Sequence, residues 1–282
     1  MKLHFTKMHG IGNDYVCINC FEQQVAEPEA LAAFVSHRHF GIGSDGLVLI
    51  LPSQQADFRM RMFNADGLES QMCGNAIRCV GKYVYDNRMT DKTTLTIETL
   101  SGIKQLDLSV AGGLVQQAEV DMGKAILEAE RIPVKTEQEV FLDQPVMVGG
   151  KAYNLTCVSM GNPHAVTFID DIDSLNLAEI GPDFEHHPFF PERINTEFVQ
   201  VMDHNTLKVR IWERGSGETM ACGTGACAAA VVAVLKGICG YNRPITLQLR
   251  GGRLTVTYQK DGTVMMKGEA AKVFDGVIEI PQ

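Results

Sequence analysis

An internal duplication constrains this chain more than any other feature of its sequence. When the sequence is shifted against itself by 149 residues, Gly12-Asn13 aligns with Gly161-Asn162 and Cys73-Gly74 aligns with Cys222-Gly223. The same shift aligns further pairs: Glu69 with Glu218, Gly102 with Gly251 and Gly113 with Gly262. A repeat of this length has the size of a whole domain and is too long for a solenoid. We therefore predict two domains of one fold, related by an approximate two-fold axis, with the functional site between them.

The predicted domains are residues 1–118 with 269–282, which contain Cys73, and residues 119–268, which contain Cys222. Each half reads as short strands, a glycine-rich turn, one apolar helix and a hairpin. Just before each cysteine, residues 58–63 and 207–212 alternate polar and apolar side chains, as half-buried strands do. The C-terminal strand lies beyond the second copy of the repeat, so we expect it to return to the first domain.

The helix predicted after Cys222 determines the fold class. Residues 223–235 are apolar on every face, so this helix must be enclosed, yet it is too short to span a membrane. The neighbouring strands are the elements available to enclose this helix. We therefore predict an α+β fold with two pseudo-symmetric duplicated domains, each a mixed, mostly antiparallel sheet or barrel wrapped around a central apolar helix.

Composition and charge restrict the partners. With 282 residues, 45% of them hydrophobic, the chain can bury a large core. A formal charge of −9 argues against nucleic acid or an anionic membrane as the main partner, because both attract clustered cations. The N-terminal residues do not resemble a secretory signal. We therefore expect a cytoplasmic protein that acts on a small molecule.

The eight cysteines are expected to be reduced in that compartment. The pair in Cys17-Ile18-Asn19-Cys20 has the spacing of a redox motif or of half a zinc site. A structural zinc site needs four ligands, and no second pair has this spacing. Residues 15–18 also read as a strand, in which cysteine is an ordinary small apolar residue. We predict no metal site.

Cys73 and Cys222 are the candidates for chemistry because each precedes a small-residue turn that opens the buried helix. The first N–H groups of a helix lack internal partners, so they stabilise a thiolate or a substrate carboxylate. We expect this position to lower the pKa of a thiol. Two equivalent thiols on opposite faces of one carbon could remove a proton from one face and deliver one to the other. This arrangement suggests a cofactor-independent amino-acid epimerase whose domains close over the substrate.

Five segments that span nearly the whole chain carry a family resemblance. They are Met8-His9-Gly10-Ile11-Gly12-Asn13-Asp14, Phe63-Asn64-Ala65-Asp66-Gly67, residues 71–79 around Cys73-Gly74-Asn75, Ser159-Met160-Gly161-Asn162-Pro163-His164, and residues 213–225, which end in Cys222-Gly223-Thr224-Gly225. They resemble segments of the diaminopimelate epimerases. The resemblance implies conversion of LL-2,6-diaminopimelate to the meso isomer, without pyridoxal phosphate or metal, for lysine and peptidoglycan synthesis. It also implies a homodimer.

The resemblance makes Cys73 and Cys222 the acid/base pair and implies that His164 and Glu213 adjust the pKa values of these thiols. It assigns the carboxylate at the reacting carbon to Gly74, Asn75, Gly223 and Thr224. It assigns further substrate contacts to Asn13, Asn64, Asn162, Asn195, Glu213 and Arg214. Together these groups suit a second zwitterion, with acceptors for an ammonium and donors for a carboxylate. Without the resemblance, turn chemistry would explain Asn64 and Asn162, and His164 would read as a core histidine.

Two positions qualify the resemblance. Some members of the family carry a substrate-contacting glutamine where this chain has Gly46, so we leave Gly46 out of the predicted site. Near the C-terminus, Phe274-Asp275-Gly276 resembles the family's dimer-contact segment, which makes Phe274 a predicted dimer contact, although a structural role in the core explains it equally well.

Three alternatives remain at this stage. A proline-racemase-like enzyme would share the two cysteines but needs no distal polar set such as Asn64, Asn195 and Arg214. An isomerase of the phenazine-biosynthesis type would share the fold but needs no cysteine pair. A non-enzymatic thiol redox or binding protein could instead join Cys73 and Cys222 in a disulfide.

Overall fold

Strands predominate in the computed structural model, which describes residues 2–280. Within these residues there are 18 strands, four α-helices and a 3-10 helix at Ala129–Arg131. The strands are β1 (Lys2–Gly10), β2 (Asn13–Asn19), β3 (Gly46–Leu51), β4 (Phe58–Asn64), β5 (Glu69–Ser70), β6 (Thr94–Thr99), β7 (Gly102–Ala111), β8 (Leu114–Lys124), β9 (Gln144–Val148), β10 (Lys151–Ser159), β11 (Pro163–Phe168), β12 (Asn195–Asp203), β13 (Thr206–Glu213), β14 (Gly217–Glu218), β15 (Ile245–Leu249), β16 (Gly252–Tyr258), β17 (Thr263–Glu269) and β18 (Ala271–Glu279). The α-helices are α1 (Pro28–Ser36), α2 (Gly74–Asp86), α3 (Leu177–Glu185) and α4 (Gly223–Leu235).

Contacts between Cα atoms divide the chain into two compact units. The first unit comprises Met1–Asp121 with Lys267–Gln282, and the second comprises Met122–Met266. Strand β18 belongs to the first unit, where it pairs antiparallel with β1 and brings Lys2 opposite Glu279. The C-terminal strand therefore lies in the first unit. That each unit is one copy of the duplication remains our prediction.

In the first unit, the strands form a mixed sheet around α2. Strand β1 pairs antiparallel with β2, β2 parallel with β3, β3 antiparallel with β4, β4 parallel with β6, and β6 antiparallel with β7. Helix α2 contacts β1, β2, β4, β7 and β18. Strands therefore surround the helix on several sides.

The second unit repeats this order around α4. Strand β10 pairs antiparallel with β11, β11 parallel with β12, β12 antiparallel with β13, β13 parallel with β15, and β15 antiparallel with β16. Helix α4 contacts β10, β11, β12, β13, β15 and β16. The predicted α+β class, with mixed and mostly antiparallel sheets around central helices, is confirmed.

The bounds of equivalent elements follow the shift seen in the sequence. Strands β1 and β10, helices α1 and α3, and helices α2 and α4 have equal lengths and begin 149 positions apart. An ion pair recurs at the same shift. Arg61 binds Glu69 through two hydrogen bonds of 2.7 and 2.8 Å, and Arg210 binds Glu218 through two of 2.9 and 3.1 Å. Because these pairs join β4 to β5 and β13 to β14, they hold equivalent hairpins just before each cysteine.

The two central helices differ in polarity. Helix α4 is built almost wholly of alanine, valine and glycine and is buried along nearly its whole length, as predicted. Helix α2 instead carries Arg78, which is fully buried. The guanidinium of Arg78 donates to Gly74 O at 2.9 Å, to Asn75 Oδ1 at 3.0 Å and to Glu269 O at 3.3 Å. These acceptors satisfy the buried charge and tie the beginning of α2 to the end of β17.

Cys17 lies fully buried in β2, which confirms the strand predicted for residues 15–18. Cys20 follows the strand and is partly exposed. Among residues 2–280, no helix has both the length and the apolar character needed to cross a membrane.

Candidate active site

Cys73 and Cys222 are the N-cap residues of α2 and α4, as predicted. Both backbones are extended, with φ and ψ of −135° and 116° at Cys73 and of −119° and 117° at Cys222. Their carbonyls accept the first helical hydrogen bonds, from Ile77 N and Ala226 N, at 3.0 Å each. Each cysteine therefore stands at the N-terminus of a helix, where the first N–H groups stabilise an anion. The Cys222 side chain accepts a hydrogen bond from Gly225 N, whereas the Cys73 side chain makes no such capping bond.

A chain of hydrogen bonds connects Cys73 with two predicted substrate-binding residues. The hydroxyl of Tyr15 lies 3.0 Å from Cys73 Sγ and also donates to Asn13 Oδ1. Asn75 Nδ2 donates to the same Asn13 oxygen at 3.0 Å. The first unit therefore brings Asn13, Asn75 and Cys73 together, with Tyr15 as the link.

Charged residues behind Asn13 fix its amide. Asn13 Nδ2 donates to Asp45 Oδ2 at 2.7 Å, and Arg38 pairs with the other Asp45 oxygen at 2.9 Å. Asp14 pairs with the largely buried Lys7 at 2.5 Å. Because the Asn13 amide nitrogen is occupied by Asp45, its carbonyl oxygen points toward Tyr15 and Asn75.

Strand pairing places Asn64 in line with Tyr15 across three neighbouring strands. Tyr15 in β2 is opposite Gly46 in β3, and Gly46 is opposite Asn64 in β4. Asn64 is exposed at the end of its strand and does not join the hydrogen-bonded chain of Cys73. A Cβ at position 46 would lie 2.3 Å from the carbonyl oxygen of Phe63, so the backbone here requires glycine. This close approach explains why Gly46 offers no side chain to the site.

Cys222 has a different environment in the second unit. Only 7% of Cys222 is exposed, and its Sγ accepts a hydrogen bond from Gly225 N at 3.4 Å and lies 3.3 Å from Thr224 Oγ1. Burial, followed by the negative charge of Glu213, raises the pKa of Cys222 well above its ordinary value, although the bonds from Thr224 and Gly225 oppose this rise. The lowered pKa expected at a helix N-terminus is therefore wrong for Cys222, because removal of water outweighs the helix dipole.

His164 lies in the second unit, fully buried, with an oxygen near each ring nitrogen. Its Nδ1 lies 2.7 Å from Glu197 Oε1, and its Nε2 lies 2.9 Å from Asn162 Oδ1. Burial raises the pKa of Glu197, and the nearby His164 partly offsets this effect. Glu197 reaches the start of α4, since a Cβ at Gly225 would lie 2.6 Å from its Oε1. His164 therefore connects with Asn162 directly and with the surroundings of Cys222 through Glu197.

Asn195 organises the turn that carries Glu213 and Arg214. It is buried, its Nδ2 donates to Pro163 O at 2.9 Å, and its Oδ1 accepts from Arg214 N at 3.0 Å. It is also opposite His164 in the pairing of β11 with β12. The side chain of Arg214 is exposed and donates to Glu192 O at 3.0 Å. The side chain of Asn195 therefore holds the backbone of this turn, while the guanidinium of Arg214 lies at the surface.

A buried carboxylate also supports the turn that carries Glu213 and Arg214. Glu185, at the end of α3, accepts hydrogen bonds from Trp212 Nε1 at 2.8 Å, from Gly215 N at 2.9 Å and from Arg193 NH1 at 3.3 Å. Burial favours a higher pKa for Glu185, but the bonds from Trp212 and Gly215 and the charges of His186 and Arg193 together outweigh it and lower the pKa. An ionised Glu185 thus holds the indole of Trp212, which precedes residues 213 and 214, and the backbone N–H of Gly215, which follows them.

Four residues of these surroundings were missed by sequence reasoning: Tyr15, Asp45, Glu185 and Glu197. The duplication held a usable signal for one of them, because the shift of 149 residues aligns Tyr15 with the candidate His164. The three carboxylates had no comparable signal, since their contacts depend on neighbours that are distant in sequence.

Phe274, the predicted dimer contact, lies in β18 with 46% of its surface exposed. Its ring packs edge-on against Phe5, with 5.8 Å between the ring centroids. Val273 and Val277 on the same strand are also exposed, by 55% and 53%. The strand therefore carries exposed apolar side chains at the surface of the first unit.

Solved structures place this fold in a known class. The chain resembles a probable proline racemase from Agrobacterium radiobacter, with a TM-score of 0.74 and 13% identity over 99% of this chain and 93% of that one. It also resembles a phenazine biosynthesis protein of the PhzF family from Bacillus anthracis, with a TM-score of 0.71 and 17% identity over 99% of this chain and 100% of that one. The class is therefore the fold shared by these proteins, here with a cysteine at each helix N-cap.

Sequence comparison identifies the family within that class. The family model for diaminopimelate epimerase matches residues 5–128 and 156–273. The diaminopimelate epimerase of Acetivibrio thermocellus is 56% identical over 279 residues, which cover 99% of each chain. The chain therefore belongs to the diaminopimelate epimerase family, and the predicted resemblance is confirmed.

Proposed function

We propose that this chain interconverts LL-2,6-diaminopimelate and meso-2,6-diaminopimelate, with Cys73 and Cys222 as a two-thiol acid/base pair, in the synthesis of lysine and peptidoglycan. The observation that carries the proposal is the placement of two cysteines at the N-caps of equivalent helices in a member of the diaminopimelate epimerase family. The proton transfers described below use side chains and backbone groups of this chain and do not require pyridoxal phosphate.

Each turnover moves one proton from the substrate and returns another. The thiolate of one cysteine takes the α-proton, so the electron pair of the C–H bond remains on the α-carbon and its carboxylate. The thiol of the other cysteine then donates a proton to the opposite face of that carbon. The configuration at the carbon is inverted, and the charges of the two sulfur atoms are exchanged.

A thiolate is a weak base for such a proton, so the developing negative charge needs stabilisation. We assign this role to the first backbone N–H groups of α2 and α4, at Gly74, Asn75, Gly223 and Thr224. These groups lie at the positive ends of two helix dipoles, and their positions are set before the reaction begins. Anion stabilisation of this kind can contribute several kcal/mol of transition-state stabilisation, on the order of 10²-fold to 10³-fold in rate.

The raised pKa of Cys222 determines the protonation state of this thiol in the free enzyme. Buried and facing the charge of Glu213, Cys222 rests as a neutral thiol at neutral pH. A neutral Cys222 is the proton donor of the two-thiol scheme. His164 and Glu213 would adjust this protonation state, with His164 acting through Glu197.

Binding of the distal zwitterion would involve the remaining polar residues. Asn13, Asn64, Asn162, Asn195, Glu213 and Arg214 supply this set. The turn that carries Glu213 and Arg214 is fixed by Asn195, so its carboxylate and guanidinium need little reorganisation on binding. A substrate without a distal ammonium and carboxylate would leave these groups unpaired, and would therefore be rejected.

Two further proposals concern the state of the protein in the cell. The exposed apolar side chains of Val273, Phe274 and Val277 in β18 support a homodimer in which Phe274 is a contact. The requirement for a free thiolate and a free thiol supports a cytoplasmic location, where thiols stay reduced.

The test is proton NMR of LL-diaminopimelate in deuterated buffer with a thiol reductant and no added cofactor. We expect the α-proton signal to disappear while the meso isomer accumulates, and a parallel proline sample to remain unchanged. Exchange in proline alone would replace this proposal with a proline racemase. Exchange in neither sample, with folded and reduced protein, would exclude both enzymes.

A further inference from the structure

Tyr15 makes a contact with Cys73 for which the two-thiol scheme gives no role. Its side chain is fully buried, in β2, and its hydroxyl lies 3.0 Å from Cys73 Sγ. The same hydroxyl also contacts Asn13 Oδ1. One phenolic hydrogen therefore has two acceptors within reach, and only one of them can receive it at a time.

The hydrogen-bond inventory gives each protonation state of Cys73 its own pattern. When Cys73 is a thiol, the S–H can donate to the Tyr15 oxygen while the Tyr15 O–H donates to Asn13. When Cys73 is a thiolate, it can only accept, so the Tyr15 O–H must turn toward sulfur. Asn13 Oδ1 then still accepts from Asn75 Nδ2 at 3.0 Å and is not left unsatisfied.

We propose that Tyr15 is a positioning residue for Cys73, and that its hydroxyl turns from Asn13 to the sulfur to stabilise the thiolate form. This inference rests on the proposed function, in which Cys73 alternates between thiolate and thiol. Tyr15 itself neither gains nor loses a proton. A hydrogen bond to an ionised group is stronger than one between neutral groups, so the bond favours the thiolate over the thiol.

The surroundings of Tyr15 keep its phenol protonated. Burial, and then the neighbouring Cys73, raises the pKa of Tyr15 well above its ordinary value, and Cys79 and Asp45 act in the same direction. Burial also raises the pKa of Cys79 to about 12, so this thiol stays neutral. The phenol is therefore a hydrogen-bond donor whenever Cys73 is a thiolate.

In the second unit, the strand position equivalent to Tyr15 does not provide a hydroxyl for Cys222. The shift of 149 residues aligns Tyr15 with His164, whose ring nitrogens contact Asn162 and Glu197. Cys222 instead has Thr224 Oγ1 and Gly225 N as its neighbours. Tyr15 therefore stabilises the thiolate on one side of the reaction only.

The test compares the full-length Tyr15→Phe variant with wild type. Alkylation by iodoacetamide is followed from pH 6 to pH 10, and the modified Cys73 and Cys222 peptides are quantified separately by mass spectrometry. We expect Cys73 alkylation near neutral pH to slow about 10-fold, the scale of one hydrogen bond to a charged group. The Cys73 profile should move to higher pH, and the Cys222 profile should be unchanged.

Kinetics supply a second measurement. We expect kcat/KM to fall about 10-fold in Tyr15→Phe, mainly through kcat, as expected for a lost hydrogen bond to an ionised group. The factor should be equal in the two directions, because a variant cannot change the equilibrium between the isomers. Tyr258→Phe, which removes another buried tyrosine hydroxyl in the second unit, is the matched control and should leave both alkylation profiles and the kinetics unchanged.

The outcomes separate this inference from the proposed function. An unchanged Cys73 profile in Tyr15→Phe overturns the inference, and an increase in KM alone would then show that Tyr15 acts through Asn13. An inactive wild type overturns the proposed function, while the alkylation profiles still decide the role of Tyr15.

If Tyr15→Phe does not fold, 2,3-difluorotyrosine incorporated at position 15 replaces it. Its more acidic phenol should move the Cys73 profile to lower pH, and a shift to higher pH would contradict the inference.

Discussion

The surroundings of Cys73 and Cys222 share a backbone but differ in chemistry. Both cysteines cap a central helix, and both helices follow equivalent strands at a constant shift. The side chains at equivalent positions are unlike: Tyr15 and His164, Gly46 and Asn195, Val48 and Glu197, Asn64 and Glu213, Ala76 and Gly225. A phenol contacts Cys73 in the first unit, whereas an imidazole and a buried carboxylate lie behind Cys222 in the second.

One fold can therefore hold two thiols in unlike states. The backbone decides where each sulfur lies, because an N-cap position and its strands are set by hydrogen bonds that do not depend on side chains. The side chains then decide which protonation state is favoured. Gly225 shows that these choices are linked, since the buried carboxylate of Glu197 fits only where the helix begins without a Cβ at that position.

Removal of either thiol should have the largest effect. We expect Cys73→Ala and Cys222→Ala to retain their fold and to lose epimerisation by about 10³-fold or more, within the range that acid–base groups contribute. The measurement is NMR of LL-diaminopimelate conversion. Cys239→Ala, which removes another buried thiol, is the control and should stay active. Full activity in either active-site variant would contradict the two-thiol scheme.

Glu197→Gln should have the next largest effect. The amide cannot supply the charge that faces His164 Nδ1 at 2.7 Å, so the support behind Cys222 is lost. We expect kcat to fall by about 10²-fold, the lower end of the acid–base range, while the alkylation profile of Cys73 stays unchanged. Glu137→Gln, at an exposed position, serves as the control. A matching change at Cys73 would show that the two surroundings are not independent.

Gly225→Ala tests whether glycine is required by Glu197. The added Cβ would lie 2.6 Å from Glu197 Oε1, so we expect the free energy of unfolding to fall by about 2 kcal/mol. In a Glu197→Val background, which copies Val48 and Ala76 of the first unit, the cost should fall by at least about 1 kcal/mol. Urea unfolding of the four proteins measures this coupling, and additive effects would refute the explanation.

The equivalent ion pairs should show the smallest effects. We expect Glu218→Gln to cost about 1.5 kcal/mol and Glu69→Gln about 1 kcal/mol, since both remove the carboxylate that a partly buried arginine binds with two hydrogen bonds. The larger cost follows from Arg250, which lies 3.2 Å from Glu218 as a second partner. Equal costs would show that this additional partner contributes nothing.

The pH dependence of these costs has a definite sign. The hydrogen bond from Arg61 lowers the pKa of Glu69. Burial favours a higher pKa for Glu218, but the hydrogen bonds and charges of Arg210 and Arg250 together outweigh it, so both folded pKa values lie below the ordinary value of 4.5. The stabilisation is therefore fully present above pH 4.5 and is lost as the pH falls through the folded pKa values. Urea unfolding at pH 7 and pH 3 should show the difference from wild type shrinking at the lower pH.

Much of the fold could be predicted because its signals are local or repeated. The apolar run after Cys222 predicted an enclosed helix, and the alternating residues before each cysteine predicted strands. The shift of 149 residues also predicted that both cysteines hold the same position relative to a helix, which the N-caps confirm. These patterns survive without knowledge of tertiary contacts because helix and strand periods are properties of the backbone.

The protonation state of Cys222 could not be predicted in the same way. The helix N-terminus alone favoured a lowered pKa, but burial of the thiol and the charge of Glu213 raise it. Burial is a sum over neighbours from several strands, and none of these neighbours is marked by a motif. Arg78 in α2 is similar, since a charged residue there becomes tolerable only through carbonyl acceptors that include Glu269 O, far along the chain.

The duplication, the α+β class, the two N-cap thiols and the family could be predicted from the chain's residues, because each depends on periodicity, spacing or extended similarity. The contact of Tyr15 with Cys73, the contact of Glu197 with His164, and the need for glycine at positions 46 and 225 emerge only in the folded chain. The physical reason is that hydrogen bonds, solvent exclusion and steric contact act over a few ångströms between residues separated by tens of positions in the chain.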